Sequence, residues 1–282
     1  MPKSVQKSRL LFFDVLRIIA ITSVVFVHVI RWRGFTFLTS NSMPFGLFFL
    51  GIGITSVSIF IFISGAVLEF THNKIENITD LLKFYYGRII RIYPAYWISM
   101  ILGALIAPSL LIISVWNLIV QVGGFMSLAG IETGLLNPMG RFIGLIFILY
   151  LAFPFISSSM KKYPIQTMSL LTLITFGSRY IFYITGYGDL EVIRWYPECN
   201  LFMFGLGIVL VQYQAFPKVT HNNAIISFGA NLSFYVFLIS SFFYQLAITN
   251  LLLFIAAVLV TSTLLMWLDR EIQVRIAKRI GS

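Results

Sequence analysis

Three ionisable residues share one apolar stretch near the start of the chain. Asp14, Arg17 and His28 lie within LLFFDVLRIIAITSVVFVHVI, which otherwise has the composition of a membrane span. In a helix, Arg17 and His28 are about 20° from three full turns apart and about 16 Å apart along the axis. Asp14 and Arg17 are three residues apart and can pair. Because ionisable groups within a span are usually functional, we expect this face to line a bundle interior or a wet cavity.

These residues suggest a chemistry and also allow structural alternatives. An imidazole titrates near neutral pH, so His28 could deprotonate a hydroxyl group or carry an acyl group. Alternatively, Asp14 and Arg17 could form an interfacial ion pair, and His28 could hydrogen-bond between helices. The presence of all three on one face favours a functional role.

A second cluster is the aromatic and basic segment FYYGRIIRIYPAYW. Arg88 and Arg91 are three residues apart, and we expect them just before a span, where their planar donor forks could bind phosphates on the cytoplasmic side. The alternative is an interfacial belt of aromatic rings with arginines outside it. Ser64 and Gly65, at the end of the second apolar stretch, could allow either close helix packing or a ligand's approach to the backbone, and packing is the default interpretation.

Composition determines the fold class. Apolar residues make up 59% of the 282 residues and charged residues 11%, with a mean hydropathy of +0.91, whereas soluble domains are about 25% charged. The net charge of +10 indicates basic cytoplasmic loops and not nucleic-acid binding. The lone Cys199 excludes a disulfide framework, and no metal-ligand spacing occurs. The sequence therefore predicts a single all-α domain over 1–282, a polytopic transmembrane helical bundle in the cell membrane, with no metal.

Eight spans are predicted from the apolar stretches. The segment 115–130 is Gly-rich, and we expect it to be interfacial or re-entrant; a span there would raise the count to nine or ten. Basic residues then favour a cytoplasmic N-terminus, with the first helix retained. The tail DREIQVRIAKRI is either a basic amphipathic helix on the inner leaflet or a charged end to the last span. The predicted spans are 11–30, 46–70, 93–113, 141–160, 165–185, 199–214, 223–245 and 249–268.

These motifs resemble those of the membrane acyltransferase-3 family, the bacterial and archaeal O-acyltransferases that modify surface glycans. The spacing of Asp14, Arg17 and His28 is similar to that of the family's first span. Further similar segments follow in the family's order: Ser64–Gly65, Arg88 through Pro94, Tyr150 with Pro154, YPECNLFMFGLGIVL, and NLSFYVFLISS. Three positions depart from the family pattern: Arg141 replaces a common Trp, Ile146 a common Glu, and Ser240 a late His.

The resemblance implies transfer of an acyl group, expected to be acetyl, from a cytoplasmic acyl-CoA to a hydroxyl of an extracytoplasmic or lipid-linked glycan. It implies a catalytic role for His28, with Asp14 and Arg17 at the inner end of the cavity. It further implies that the donor is bound by Arg88, Arg91, Ser64 and Gly65, and the carbohydrate acceptor by Tyr150 and Arg141.

Two alternatives remain at the level of sequence. A transporter or export protein for a polysaccharide or small solute would be expected to have broken helices in paired halves and charges on several spans, whereas most charges here lie on the first span. An inactive family member acting in glycan export is the other alternative, which the replacements at Ile146 and Ser240 keep open. The oligomeric state is also open.

Overall fold

The computed structural model describes residues 9–33, 44–72, 74–108, 113–126, 128–129, 131, 135–186, 195–216, 219–221 and 223–280. Within these ranges the chain is almost entirely helical, which confirms the all-α prediction. The helices are α1 (Leu11–Trp32), α2 (Pro44–His72), α3 (Ile78–Ile106), α4 (Val115–Gly123), α5 (Gly140–Lys162), α6 (Pro164–Ile184), α7 (Leu201–Gln212), α8 (Ala224–Ile239), α9 (Tyr244–Thr249) and α10 (Leu251–Ile280).

Six helical segments in the described part of the chain are long and apolar enough to cross a membrane. The prediction of eight spans is therefore wrong in number. The predicted span 165–185 is α6, which has the length but is not sufficiently apolar, and the predicted span 199–214 contains α7, which is too short. The six segments are α1, Gly51–His72 of α2, α3, α5, Ala224–Thr249 and Leu251–Lys278.

Two contacts show which helix ends lie together. Arg9–Leu10 forms an antiparallel pair of two-residue strands with Thr220–His221, so the segment before α8 lies beside the start of α1. Lys161 at the end of α5 pairs with Glu69 near the end of α2, at 3.5 Å. Because α6 and α7 are consecutive, their loss as spans leaves an even count and keeps both termini on one side. We call this side the N-terminal side and the opposite side the far side.

The segment 115–130 contains only the nine-residue helix α4, which is too short to span. The helix ends at Gly124, whose φ of 77° is readily adopted only by glycine. Aromatic donors of α3 hold its last turn: Tyr93 and Trp97 donate to the carbonyls of Gly123 and Val122, at 3.1 and 3.0 Å. These rings therefore hold α4 against α3, a role that the interfacial-belt interpretation did not include.

Two helices extend further than the sequence suggested. The third span begins at Ile78 and not at 93, because Asn77 caps the helix by accepting a hydrogen bond from the Asp80 amide at 2.9 Å. The segment bearing Arg88 and Arg91 is therefore part of α3. Likewise, the tail DREIQVRIAKRI is not a separate helix, since α10 continues unbroken to Ile280.

Polar contacts join α6 to the start of α7. Arg179 lies within α6, and its Nε and Nη2 donate to the carbonyl of Cys199, at 3.1 and 2.8 Å. The hydroxyl of Thr175 accepts from the Phe202 amide at 2.9 Å. The charged and polar residues of α6 thus bind backbone groups at the entry to α7, which satisfies them within the bundle.

Candidate active site

The first turns of α1 contain the ion pair that the sequence spacing allows. Arg17 Nη1 lies 3.3 Å from Asp14 Oδ1. The Asp14 side chain is 3% exposed and that of Arg17 is 26% exposed. The carboxylate is thus enclosed by the bundle, while the guanidinium remains partly open to the space beside it. A buried carboxylate requires such a partner, because an unpaired charge is strongly disfavoured away from water.

Arg17 lines a cavity of about 150 Å³ between five helices. Ser64 of α2, Arg91 of α3 and Tyr150 of α5 line it as well, so four of the predicted site residues meet here. On α5, the cavity residues Phe142, Ile146 and Tyr150 recur every four positions, which is the spacing of one helix face. The remaining lining residues are Phe60, Ile92, Ala230, Asn231, Ser233, Phe234 and Phe237.

Arg88 adds a third guanidinium close to this cavity. It lies one turn before Arg91 on α3, it is half-buried, and its Cζ lies 5.6 Å above the ring centroid of Phe84. Its Nε is buried without a hydrogen-bond partner among the described residues. Arg17, Arg88 and Arg91 therefore form a cationic cluster, with Arg91 exposed. Such a group of planar donors suits an anion, and a phosphate in particular.

His28 lies on the far-side half of α1, away from the cavity. It is half-buried, and its ring centroid is 5.2 Å from that of Trp32. Eleven residues of helix separate it from Arg17, about 16 Å along the axis. Ile21 and Val24 lie between them on the same face, and both are buried. The shared face predicted from the sequence is present, but apolar side chains close it between the guanidinium and the imidazole.

The remaining predicted site residues, Ser64, Gly65 and Arg141, have different surroundings. The hydroxyl of Ser64 donates to the Phe60 carbonyl at 2.8 Å on the cavity wall. Gly65 is buried against α7, where a Cβ would overlap the Phe204 carbonyl, so this glycine allows close helix packing. Arg141 is half-buried in the first turn of α5 and does not line the cavity, although its neighbour Phe142 does.

Two buried carboxylates were not predicted as site residues. Asp269 of α10 accepts hydrogen bonds at Oδ2 from Tyr235 Oη at 2.6 Å and from Gln273 Nε2 at 2.7 Å. The charge of Arg91 acts on this carboxylate. Glu69 accepts from the Ser157 hydroxyl at 2.5 Å in addition to its pair with Lys161. The sequence does contain a signal that Asp269 is buried. It lies four residues after the apolar Leu265, and this spacing places both residues on the same buried face of α10.

The fold and the cavity define a multi-pass helical membrane protein with a cationic site on its N-terminal side. The chain belongs to the membrane acyltransferase-3 family, since the family's model, described as an acyltransferase domain, matches residues 10–282. Comparisons with curated proteins and with solved structures give no match. The protein is therefore a membrane acyltransferase, as the sequence resemblance implied.

Proposed function

We propose that the protein transfers an acyl group, expected to be acetyl, from a cytoplasmic acyl-CoA to a hydroxyl of a glycan on the far side of the membrane. The observation that carries this proposal is the cationic cluster of Arg17, Arg88 and Arg91 around the cavity. An acyl-CoA carries several phosphates, and guanidinium groups in a partly desolvated site bind phosphates through charge-assisted hydrogen bonds. The excess of basic residues on the N-terminal side favours that side as cytoplasmic, where the donor is made available.

In the proposed reaction, the donor phosphates bind at the N-terminal-side end of the α1 face, and the acyl group is transferred at the far-side end. The cluster holds the phosphates of the donor, and the donor's flexible arm extends along α1 toward His28. The acceptor oxygen attacks the thioester carbonyl carbon, a C–O bond forms and the C–S bond breaks. His28 takes the proton from the acceptor hydroxyl and passes it to the leaving thiolate, as a general base and then a general acid. Asp14 fixes Arg17 at the inner end of this route.

The buried apolar residues between Arg17 and His28 block the route of the donor arm to His28. Ile21 and Val24 are buried against neighbouring helices, so the donor arm can reach His28 only if α1 separates locally from them. Entry of the donor and opening of this route are therefore coupled in the proposal. Tyr150 lies on the cavity wall together with Arg17 and Arg91, and it therefore contributes to donor binding as well as to substrate positioning.

The experiment measures acyl transfer by the purified chain in proteoliposomes, with labelled acetyl-CoA supplied at the N-terminal side and glycan at the far side. We expect Arg88→Ala and Arg91→Ala to raise KM for acetyl-CoA by about 10-fold or more, because each removes charge-assisted hydrogen bonds. We expect His28→Ala to lower kcat by about 10²–10⁴-fold, because it removes the general base. Arg275→Ala is the matched control for the arginine variants, since Arg275 is exposed on α10.

Three outcomes would contradict parts of this proposal. Full transfer by His28→Ala would exclude the catalytic assignment. Arginine variants that behave like Arg275→Ala would exclude the phosphate site. Movement of glycan across the membrane without consumption of acetyl-CoA would replace the proposed reaction with transport.

A further inference from the structure

The buried carboxylate of Asp269 lies next to the wall of the cationic cavity. Asp269 is fully enclosed, with 0% of the residue exposed. Its Oδ2 accepts from Tyr235 of α8, and Tyr235 adjoins Phe234, which lines the cavity. Leu265, one turn before Asp269, belongs to the same buried core cluster as Ile92, another residue of the cavity wall. The carboxylate on α10 therefore packs against the walls that α3 and α8 contribute to the cavity.

Arg91 and Asp269 lie at a similar depth in the bundle. Arg91 is about 20 Å along the axis from the start of α3 at Ile78, on the N-terminal side. Asp269 is about 16 Å along the axis from the end of α10 at Ile280, on the same side. The two helices run in opposite directions and pack against each other. The charge of Arg91 accordingly acts on the Asp269 carboxylate.

Two of the three guanidinium groups in the cationic cluster thus have a carboxylate nearby. Asp14 pairs with Arg17 at 3.3 Å, and Asp269 is the carboxylate on which the charge of Arg91 acts. Arg88 differs, since its Nε is buried without a hydrogen-bond partner among the described residues. The two carboxylates offset part of the charge of the cluster. An anion that enters the cavity must therefore compete with them for the guanidinium groups.

The two oxygens of Asp269 have different surroundings. Oδ2 accepts from Tyr235 at 2.6 Å and from Gln273 at 2.7 Å, whereas Oδ1 is buried without a hydrogen-bond partner among the described residues. An unpaired carboxylate oxygen strongly favours a donor when it is away from water. A guanidinium group carries five N–H donors, and that of Arg91 is on an exposed side chain of the cavity wall. Arg91 can therefore serve either this oxygen or an anion in the cavity.

We propose that Asp269 is a positioning residue that competes with the donor phosphates for Arg91 and so sets the affinity of the cationic cluster for CoA. This inference rests on the proposed function, in which the cluster binds those phosphates. Acetyl-CoA and the product CoA carry the same phosphates, so the cluster binds both through the same contacts. A buried counter-ion lowers the affinity for both, which allows CoA to leave after transfer. Tyr235 and Gln273 limit this competition, because they occupy Oδ2.

The experiment measures the Kd of CoA for the full chain in nanodiscs, without an acceptor. We expect Asp269→Asn to lower this Kd about fivefold or more, because the competing charge is lost while an oxygen acceptor for Tyr235 remains. A residue that only stabilised the fold would not raise the affinity for CoA when it is replaced. Glu271→Gln is the matched control and should leave the Kd unchanged, since Glu271 is an exposed carboxylate on the same helix.

Two further variants test the route through Arg91. Tyr235→Phe removes a donor from the carboxylate, which then competes better, so we expect the Kd of CoA to rise about two- to threefold. This change has the opposite sign and keeps the test decisive if Asp269→Asn does not fold. In an Arg91→Ala background, Asp269→Asn should change the Kd by less than about twofold, because the side chain for which it competes is absent.

The proposal would be overturned by unchanged or weaker CoA binding in folded Asp269→Asn, by an equal gain in Glu271→Gln, or by the full gain in the Arg91→Ala background. CoA binding that requires Arg88 but is indifferent to both Asp269→Asn and Tyr235→Phe would overturn this inference alone. A wild-type chain that does not bind CoA, or an Arg88→Ala variant with the wild-type Kd, would instead contradict the phosphate site of the proposed function, and this inference with it.

Discussion

Asp269 carries a buried carboxylate within the bundle, next to the cationic cluster. Its Oδ2 accepts hydrogen bonds from Tyr235 and Gln273, and the charge of Arg91 acts on it. Its Oδ1 is buried without a hydrogen-bond partner among the described residues. A carboxylate in this position is strongly disfavoured unless its remaining contacts are kept. Because Tyr235 on α8 donates to this carboxylate on α10, its hydroxyl stabilises the contact between the two helices beside the cavity.

This contact leads to a prediction for Tyr235. We expect Tyr235→Phe to lower the free energy of unfolding by about 1 kcal/mol, because the buried carboxylate loses one of its two donors. Thermal unfolding in detergent would measure the change. Tyr213→Phe is the control, since Tyr213 is 67% exposed. Equal melting temperatures for the two variants would mean that the Tyr235 hydroxyl contributes nothing to stability.

At the scale of single residues, the sequence predicted contacts between residues that lie close together in one helix. The spacing of Asp14 and Arg17 predicted their pair, since three residues bring two side chains to one face. The partner of Arg179 could not be predicted, because it is the carbonyl of Cys199 on another element. Asp269 was likewise assigned to a tail, since only the uninterrupted course of α10 shows that it stays on a buried face.

At the scale of elements, α2 and α7 approach so closely that their backbones touch. A Cβ on Gly65 would overlap the Phe204 carbonyl, and a Cβ on Gly207 would overlap the Phe62 carbonyl. Reciprocal glycines of this kind are a common means of close helix association in membranes. Because α2 also supplies Ser64 to the cavity, this packing sets the position of one cavity wall.

We expect Gly65→Ala to lower the free energy of unfolding by about 1–3 kcal/mol, because the added methyl forces the two backbones apart. Gly177→Ala on α6 is the matched control, since nothing lies within 4 Å of its added Cβ. Helix propensity should make that control neutral or more stable by up to about 1 kcal/mol. Melting temperatures in detergent would measure both. If both alanine variants were equally stable, the close α2–α7 approach would not be needed for the fold.

Elements were predicted well where an apolar run ended in polar residues, as at the ends of α1 and α2. The start of α3 was missed because its first turns are polar and aromatic, and the capping Asn77 marks a helix start that hydropathy does not register. The segment of the short α4 was expected to be interfacial or re-entrant because eight full spans place both termini on one side, and α4 is indeed too short to span. Hydropathy also overstated α6, whose polar residues satisfy groups on α7 and so make the segment less apolar than a span.

At the scale of the whole molecule, the contact between Lys161 and Glu69 and the strand pair at Arg9–Leu10 place four helix ends on the N-terminal side. The α3–α4 connection and the start of α10 then lie on the far side. This arrangement follows from the six spans and is independent of how deeply α6 and α7 enter the membrane. It places the cationic cluster and His28 toward opposite sides, as the proposed acyl transfer requires.

Single cysteines in a Cys199→Ser background test this arrangement directly. We expect Tyr163→Cys and Ala215→Cys to react with a membrane-impermeant maleimide from one side only, and Ser114→Cys and Asn250→Cys from the other side only. All four positions lie in exposed segments between helices, so reactivity reports sidedness and not burial. Labelling of intact and of opened vesicles distinguishes the two faces. Reaction of Tyr163→Cys and Asn250→Cys from the same side would contradict the six-span topology.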